Sequence, residues 1–222
     1  MTLTDIIEKF RRDNSEITER VADDTVVKDW AYDADKEFCA ITRCIVGDTT
    51  FNSVASTSVY NTKYDLAALV DKFYDIDDYP GGGVSFDDDP LDKVTVAQLD
   101  ADDEDWRTAS AGTPEKYYRR GKYLYFDCPV KTASLEIRVY AVLISDDFTG
   151  INQTPYNGLT YLEPFHSGIS KYLAWMGKGK IGKPGEAQAK RQEFLEYATW
   201  AKKQMGGNKY GKITFQKSEA YS

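Results

Sequence analysis

Apolar residues change their spacing twice along this chain, and that change restricts it to a mixed fold. Leu3, Ile6, Ile7 and Phe10 recur at helical intervals, and so do Val26, Val27, Trp30, Ala34, Phe38, Ile41 and Ile45. Thr2 with Asp5 has the form of a capping box, Asp24 or Thr25 can cap the second helix, and Gly47 can end it near Val46. From Thr50 to about Phe148 the pattern becomes short β-branched and aromatic runs punctuated by Asp, Gly and Pro. Val59–Leu66, Phe73–Ile76, Tyr123–Phe126 and Leu135–Tyr140 read as strands. Only eight residues separate the last two runs, so they are expected to pair antiparallel, and Thr95–Trp106 reads as a short amphipathic helix. Helical spacing returns with Leu159, Leu162, Phe165, Ile169, Tyr172, Leu173 and Met176, where Thr160 and Glu163 suggest a second capping box. A Gly-Lys break over 177–185 precedes a last helix, Glu186–Met205, stopped by Gly206 and Gly207.

The expected fold class is therefore α+β, a helical bundle drawn from both chain ends with an inserted antiparallel β-rich domain. Residues 1–50 are assigned to the first helices, 51–150 to the insert, 151–207 to the closing helices and 208–222 to a polar tail. With 222 residues and 41% hydrophobic content, such a chain can bury roughly three quarters of its extended surface.

Charge divides unevenly. From Lys171 onward there are 11 basic and 4 acidic side chains, a net of +7, which leaves −15 on the first 170 residues. A basic end of this kind suits an acidic partner surface, and the total of −8 disfavours nonspecific nucleic-acid binding. Three cysteines, Cys39, Cys44 and Cys128, are expected to be free thiols, mostly buried, and their spacing fits no zinc framework. The first residues are acidic where a signal peptide needs basic then apolar ones, and no apolar run approaches membrane-spanning length. A chain that is neither secreted nor embedded in a membrane is expected.

No motif for catalysis survives inspection. Gly177–Lys183 has the G-x-x-x-x-G-K spacing of a phosphate-binding loop, but Pro184 stands where Ser or Thr should hold magnesium, and a helix precedes it where a strand is required. The acidic run Asp100–Asp105 imitates the first half of a calcium loop, yet Asp105 occupies the glycine position and Ala111 the terminal glutamate position. The single histidine, His166, reads as a structural residue. No metal, cofactor or catalytic residue is expected. Aromatic residues make up 14% of the chain, more than its core requires, which points toward interfaces; Tyr117 and Tyr118, followed by Arg119 and Arg120, can also stack on bases.

One stretch carries a resemblance. Leu91, Val94, Val96 and Leu99 lead into Asp100–Asp105 and Trp106, followed by the Gly-Thr-Pro break at 112–114. Tyr118, Tyr123–Phe126, Pro129 and Leu135–Tyr140 complete it. This order resembles the neck proteins of tailed bacteriophages, the head-to-tail adaptor subunits. Tyr64-Asp65-Leu66 is similar to a Tyr-x-Leu-Pro element of that family, with Ala67 in place of the proline. The resemblance implies a non-enzymatic virion protein made in the bacterial host cytoplasm. It implies a homo-oligomeric ring, usually of twelve subunits, docked on the portal protein and touching other neck or tail proteins. DNA passes through such a ring without sequence-specific binding. C-terminal docking would fall to Lys209, Tyr210, Lys212, Ile213 and Phe215, added as a strand to the partner. The alternatives are a tail-completion or tail-tube-end protein and a carboxylate-based hydrolase.

Overall fold

A computed structural model describes residues 1–60, 63–77, 82–150 and 152–206. The chain forms two compact units, Val46–Leu143 and a second that combines Met1–Ile45 with the residues from Ile144 onward. It is a mixed α+β protein with mostly antiparallel sheets.

The discontinuous unit is helical. Helix α1 spans Leu3–Asp13 and opens with the capping box of Thr2 and Asp5. The Thr2 side chain holds the Asp5 amide and the Asp5 carboxylate holds the Thr2 amide, so donors otherwise left without partners are satisfied reciprocally. Helix α2 spans Asp24–Thr42 and is capped by Asp23, whose Oδ1 accepts from the Val26 amide at 2.9 Å. It ends four residues before the sequence suggested. Arg43 takes the left-handed conformation, with φ 58°, that a glycine usually supplies. Ile45 and Val46 thus leave the helix and begin strand β1, Ile45–Asn52.

Helices α5 (Ser167–Lys180) and α6 (Pro184–Gly206) pack on each other and on α2, and α1 packs against α5. Their apolar stripes bury Leu3, Phe10, Val27, Phe38, Ile169, Leu173, Phe194, Ala198 and Ala201. The Gly-Lys break is shorter than its glycines imply, because α5 runs through Gly177 and Gly179 and only Ile181–Lys183 separates it from α6. Gly177 has a packing reason: a Cβ there would lie 2.3 Å from Ile17 Cδ1, so a larger residue would drive the helix off the turn that follows α1. Pro184 then starts α6 at the position where a missing amide costs nothing. The helix expected from Leu159 begins only at Ser167 as α5; the stretch before it is a 3-10 segment, Thr160–Phe165, preceded by another, Tyr156–Gly158. The N-cap position of Thr160–Phe165 is Leu159, which offers no side-chain acceptor, so Thr160 and Glu163 form no capping box.

The other unit contains two sheets. In one, β1 lies beside β9 (Glu136–Leu143), which on its other side takes β3 (Phe73–Ile76) and β4 (Val84–Phe86), and β4 continues to β5 (Asp89–Pro90). In the other, the order is β2 (Lys63–Asp65), β8 (Tyr123–Phe126), β7 (Lys116–Arg120) and β6 (Asp92–Lys93), with only β6 parallel to its neighbour. The expected hairpin between Tyr123–Phe126 and Leu135–Tyr140 does not exist. The eight residues between them carry the chain from one sheet to the other, and β8 pairs with β7 and β2. The strand expected over Val59–Leu66 is shorter in its described part, because Leu66 already begins the short helix α3, Leu66–Leu69.

The two sheets share one apolar core. Tyr64, Tyr117, Leu124 and Phe126 come from the second sheet and Ile76, Val84, Phe86, Ile137 and Val139 from the first. On the outer face of the second sheet lies a separate cluster of Val59, Leu99, Trp106 and Tyr118. Helix α4 (Val96–Asp102), capped by Thr95 and Gln98, and the turn Trp106–Thr108 cover part of that face. Strand β7 was not foreseen. Its adjacent tyrosines point to opposite faces, Tyr117 into the shared core and Tyr118 outward, and both rings are buried.

Candidate functional site

Lys209, Tyr210, Lys212, Ile213 and Phe215 lie outside the described residues. What is described is the helix that leads to them. Along α5, α6 and their connection most cations already have partners. Lys178 bridges Glu16 and Glu186, Lys183 lies 3.3 Å from Glu186, and Lys171 and Lys190 both reach Glu193. Arg191 pairs with Glu37 on α2, and its guanidinium sits 4.4 Å from the centre of the Trp175 ring. Lys171, Lys178 and Arg191 thereby tie separate elements together, whereas Lys183 and Lys190 pair with acids three residues ahead of them.

Lys180, Lys202 and Lys203 differ, since no carboxylate pairs with any of them among the described residues. Two of the three stand in the last turns of α6, directly before the basic tail. Beside them Trp200 is 48% exposed, with one edge against Phe165 and Tyr197. A shallow recess lined by Leu195, Thr199, Trp200 and Lys203 lies on the same helix face. A half-exposed tryptophan next to unpaired lysines has the composition of a protein-docking anchor. Sequence reasoning passed over Trp200 because its neighbours Ala198 and Ala201 dominate the inward stripe, although a tryptophan one step off that stripe was the available signal.

The net charge of −8 belongs entirely to Val46–Leu143, which carries 18 acidic and 10 basic side chains, while the remainder carries 18 of each. The acidic run before Trp106 is tied into its own unit. Asp100 accepts from the Trp106 indole at 2.8 Å and pairs with Arg107, Asp102 meets Lys116 at 2.8 Å, and Asp103 caps the Asp105 amide. Among the described residues no group of three or more His, Cys, Asp or Glu side chains converges as metal ligands would.

A sequence profile of the SU10 adaptor protein family matches residues 1–208. The chain belongs to that family. It is a family of phage head–tail adaptors, so the resemblance carried by Leu91–Tyr140 identified the right class and the chain has a structural head–tail role. No curated protein matches it. None of the described helices is long and apolar enough to cross a membrane, in keeping with a virion component of this family.

The strongest titration anomaly in this adaptor is enclosed. Asp35 on α2 is fully buried, and burial pushes its carboxyl up to about 7 against the opposing hydrogen bond from the Tyr156 amide at 3.2 Å. The buried Ser145 hydroxyl adds a lowering influence at a geometry short of a hydrogen bond. Cys39 Sγ lies 3.9 Å from both Asp35 Oδ1 and Cys44 Sγ, and both thiols are free and buried. Tyr156 adopts φ 55°, a left-handed conformation that the Asp35 contact and full burial of its ring hold in place. His166 tilts against that ring, 5.6 Å between centroids, with neither nitrogen hydrogen-bonded to protein, and burial lowers it to about 4. A perturbed acid beside a histidine can mark an active site. Here Asp35 and His166 have no exposed surface, so neither can meet a substrate.

Proposed function

We propose that this chain is a structural, non-enzymatic subunit of a phage neck ring that docks on the portal protein and extends the DNA channel toward the tail. The family match over residues 1–208 is the observation that carries this reading. In it, helices from both chain ends act as one bundle, residues 51–150 form an inserted β-rich domain, and twelve subunits close the ring. DNA passes without sequence-specific contacts.

The distribution of charge supports that role. An acidic unit facing the channel repels the phosphate backbone and leaves DNA mobile, while a cationic chain end seeks an acidic partner. Lys202 and Lys203, which meet no carboxylate among the described residues, lead into a tail that carries Lys209, Lys212 and Lys217 against the single acid Glu219. Ile213 and Phe215 alternate as a strand added to a sheet edge on the portal would require, and Tyr210 supplies a further aromatic contact.

Deleting residues 208–222 is expected to abolish portal binding in a pull-down while leaving the circular dichroism spectrum and thermal midpoint near those of the full chain. Retained binding by the truncated protein would refute the tail as the docking element.

A further inference from the structure

On the outer face of the second sheet, α4 and the Trp106 turn leave one recess uncovered, with a volume of about 130 Å³. Its floor is aromatic. Tyr118 and Tyr125 are register partners across β7 and β8, and their rings stack at 5.0 Å with 7° between planes. Trp106 meets Tyr118 edge-on at 5.7 Å, and the Arg107 guanidinium lies 4.7 Å from the Trp106 ring centre. The rim is apolar and open, for Tyr60 is 53% exposed and Val96 38%.

Two guanidinium groups border this recess, and they differ. Arg107 is neutralised by Asp100. Arg120, two residues beyond Tyr118 and therefore on the same strand face, is exposed and pairs with no carboxylate among the described residues. The Tyr118 hydroxyl likewise has no hydrogen-bond partner there. An unpaired arginine over a stacked aromatic floor combines the residue types that dominate binding energy at protein interfaces, and a guanidinium takes a carboxylate in bidentate geometry. The volume admits a single side chain. The unit's net −8 repels a phosphate backbone, so the local positive charge favours a carboxylate on a protein over a nucleic acid.

We propose that this recess docks a protein segment presenting a carboxylate beside one aromatic or aliphatic side chain, with the ring or methyl group on Tyr118, Tyr125 and Trp106 and the carboxylate on Arg120. The contact is separate from tail docking. It stands or falls independently of residues 208–222.

The probe is 4-hydroxyphenylacetate, with its uncharged amide as control, titrated into the isotopically labelled full-length chain and followed at the Trp106 indole resonance. The acid should bind with a dissociation constant on the order of 1 mM, as its few heavy atoms allow, and about tenfold more tightly than the amide. Arg120→Gln changes an exposed side chain and should remove that preference, leaving acid and amide equally weak; Tyr118→Phe should retain it. Equal binding of acid and amide by the unmodified protein, or an unmoved Trp106 resonance, would overturn the proposal. So would displacement of the acid from Trp106 by a hexathymidylate strand, which would make the recess a base-stacking site.

Discussion

Asp35→Asn is expected to raise stability by about 4 kcal/mol at pH 8 and to change it little at pH 4. The carboxyl titrates at about 7 in the folded chain against 3.8 when unfolded, so the folded state holds the proton more tightly. Its favourable contribution is complete below pH 3.8 and disappears as pH rises to 7, above which a buried charge must be carried. His166 has the opposite sign. Its folded value of about 4 lies below the ordinary 6.5, so stability is full above pH 6.5 and falls as acid approaches pH 4. Both groups adjoin Tyr156, and between pH 4 and 6.5 their effects nearly cancel in the unmodified protein. Each single variant should uncover the other's limb. Asp35→Asn should lose stability as pH drops from 6.5 to 4, whereas His166→Leu should gain it over the same interval. Urea denaturation followed by tryptophan fluorescence at pH 4, 5, 6.5 and 8 measures this directly. Parallel curves for all three proteins would show that neither group is held neutral by the fold.

Phe126→Ala should cost about 3–5 kcal/mol, the range for deleting a fully buried aromatic ring. The side chain is wholly inaccessible and lies between Tyr64 of β2 at 5.7 Å and Phe86 of β4 at 5.9 Å, which belong to different sheets. A hydrogen-bonded β framework on both sides limits collapse into the vacated space, so most of the cavity should persist. Tyr125→Ala, one residue earlier on the same strand, points to the outer face, where its ring is partly solvated. It should cost clearly less, about 1–2 kcal/mol. Guanidinium denaturation of the two variants compares them. Equal losses would contradict the assignment of alternating residues in β8 to the shared core and the outer cluster.

Local signals were readable from sequence wherever one side chain served one purpose. The Thr2–Asp5 box and the stripe from Val27 to Phe38 depend only on neighbours within a turn or two, and the structure repeats them. Arg43 illustrates the opposite case: a left-handed residue that is not glycine leaves no mark, so α2 read four residues too long. Gly177 misled for the converse reason, being chosen for its approach to Ile17 and not for flexibility. The supposed hairpin failed because strand proximity in sequence says nothing about a change of sheet. β7 escaped notice because Lys116, Arg119 and Arg120 enclose its two tyrosines and disguise their alternation. For the proposed docking element, the clustering of positive charge toward the chain end was legible. The availability of Lys202 and Lys203 was not, since it depends on which carboxylates the other lysines meet across the helices.

Seating of this adaptor on a portal ring, as proposed, can be observed by imaging. Purified protein mixed with portal rings of the same phage, and imaged by negative-stain electron microscopy beside each component alone, tests it directly. A second ring stacked coaxially on the portal is the expected result, and its symmetry would give the subunit number. Bare portal rings, with the protein monomeric or assembled into tubes by itself, would rule out seating on the portal.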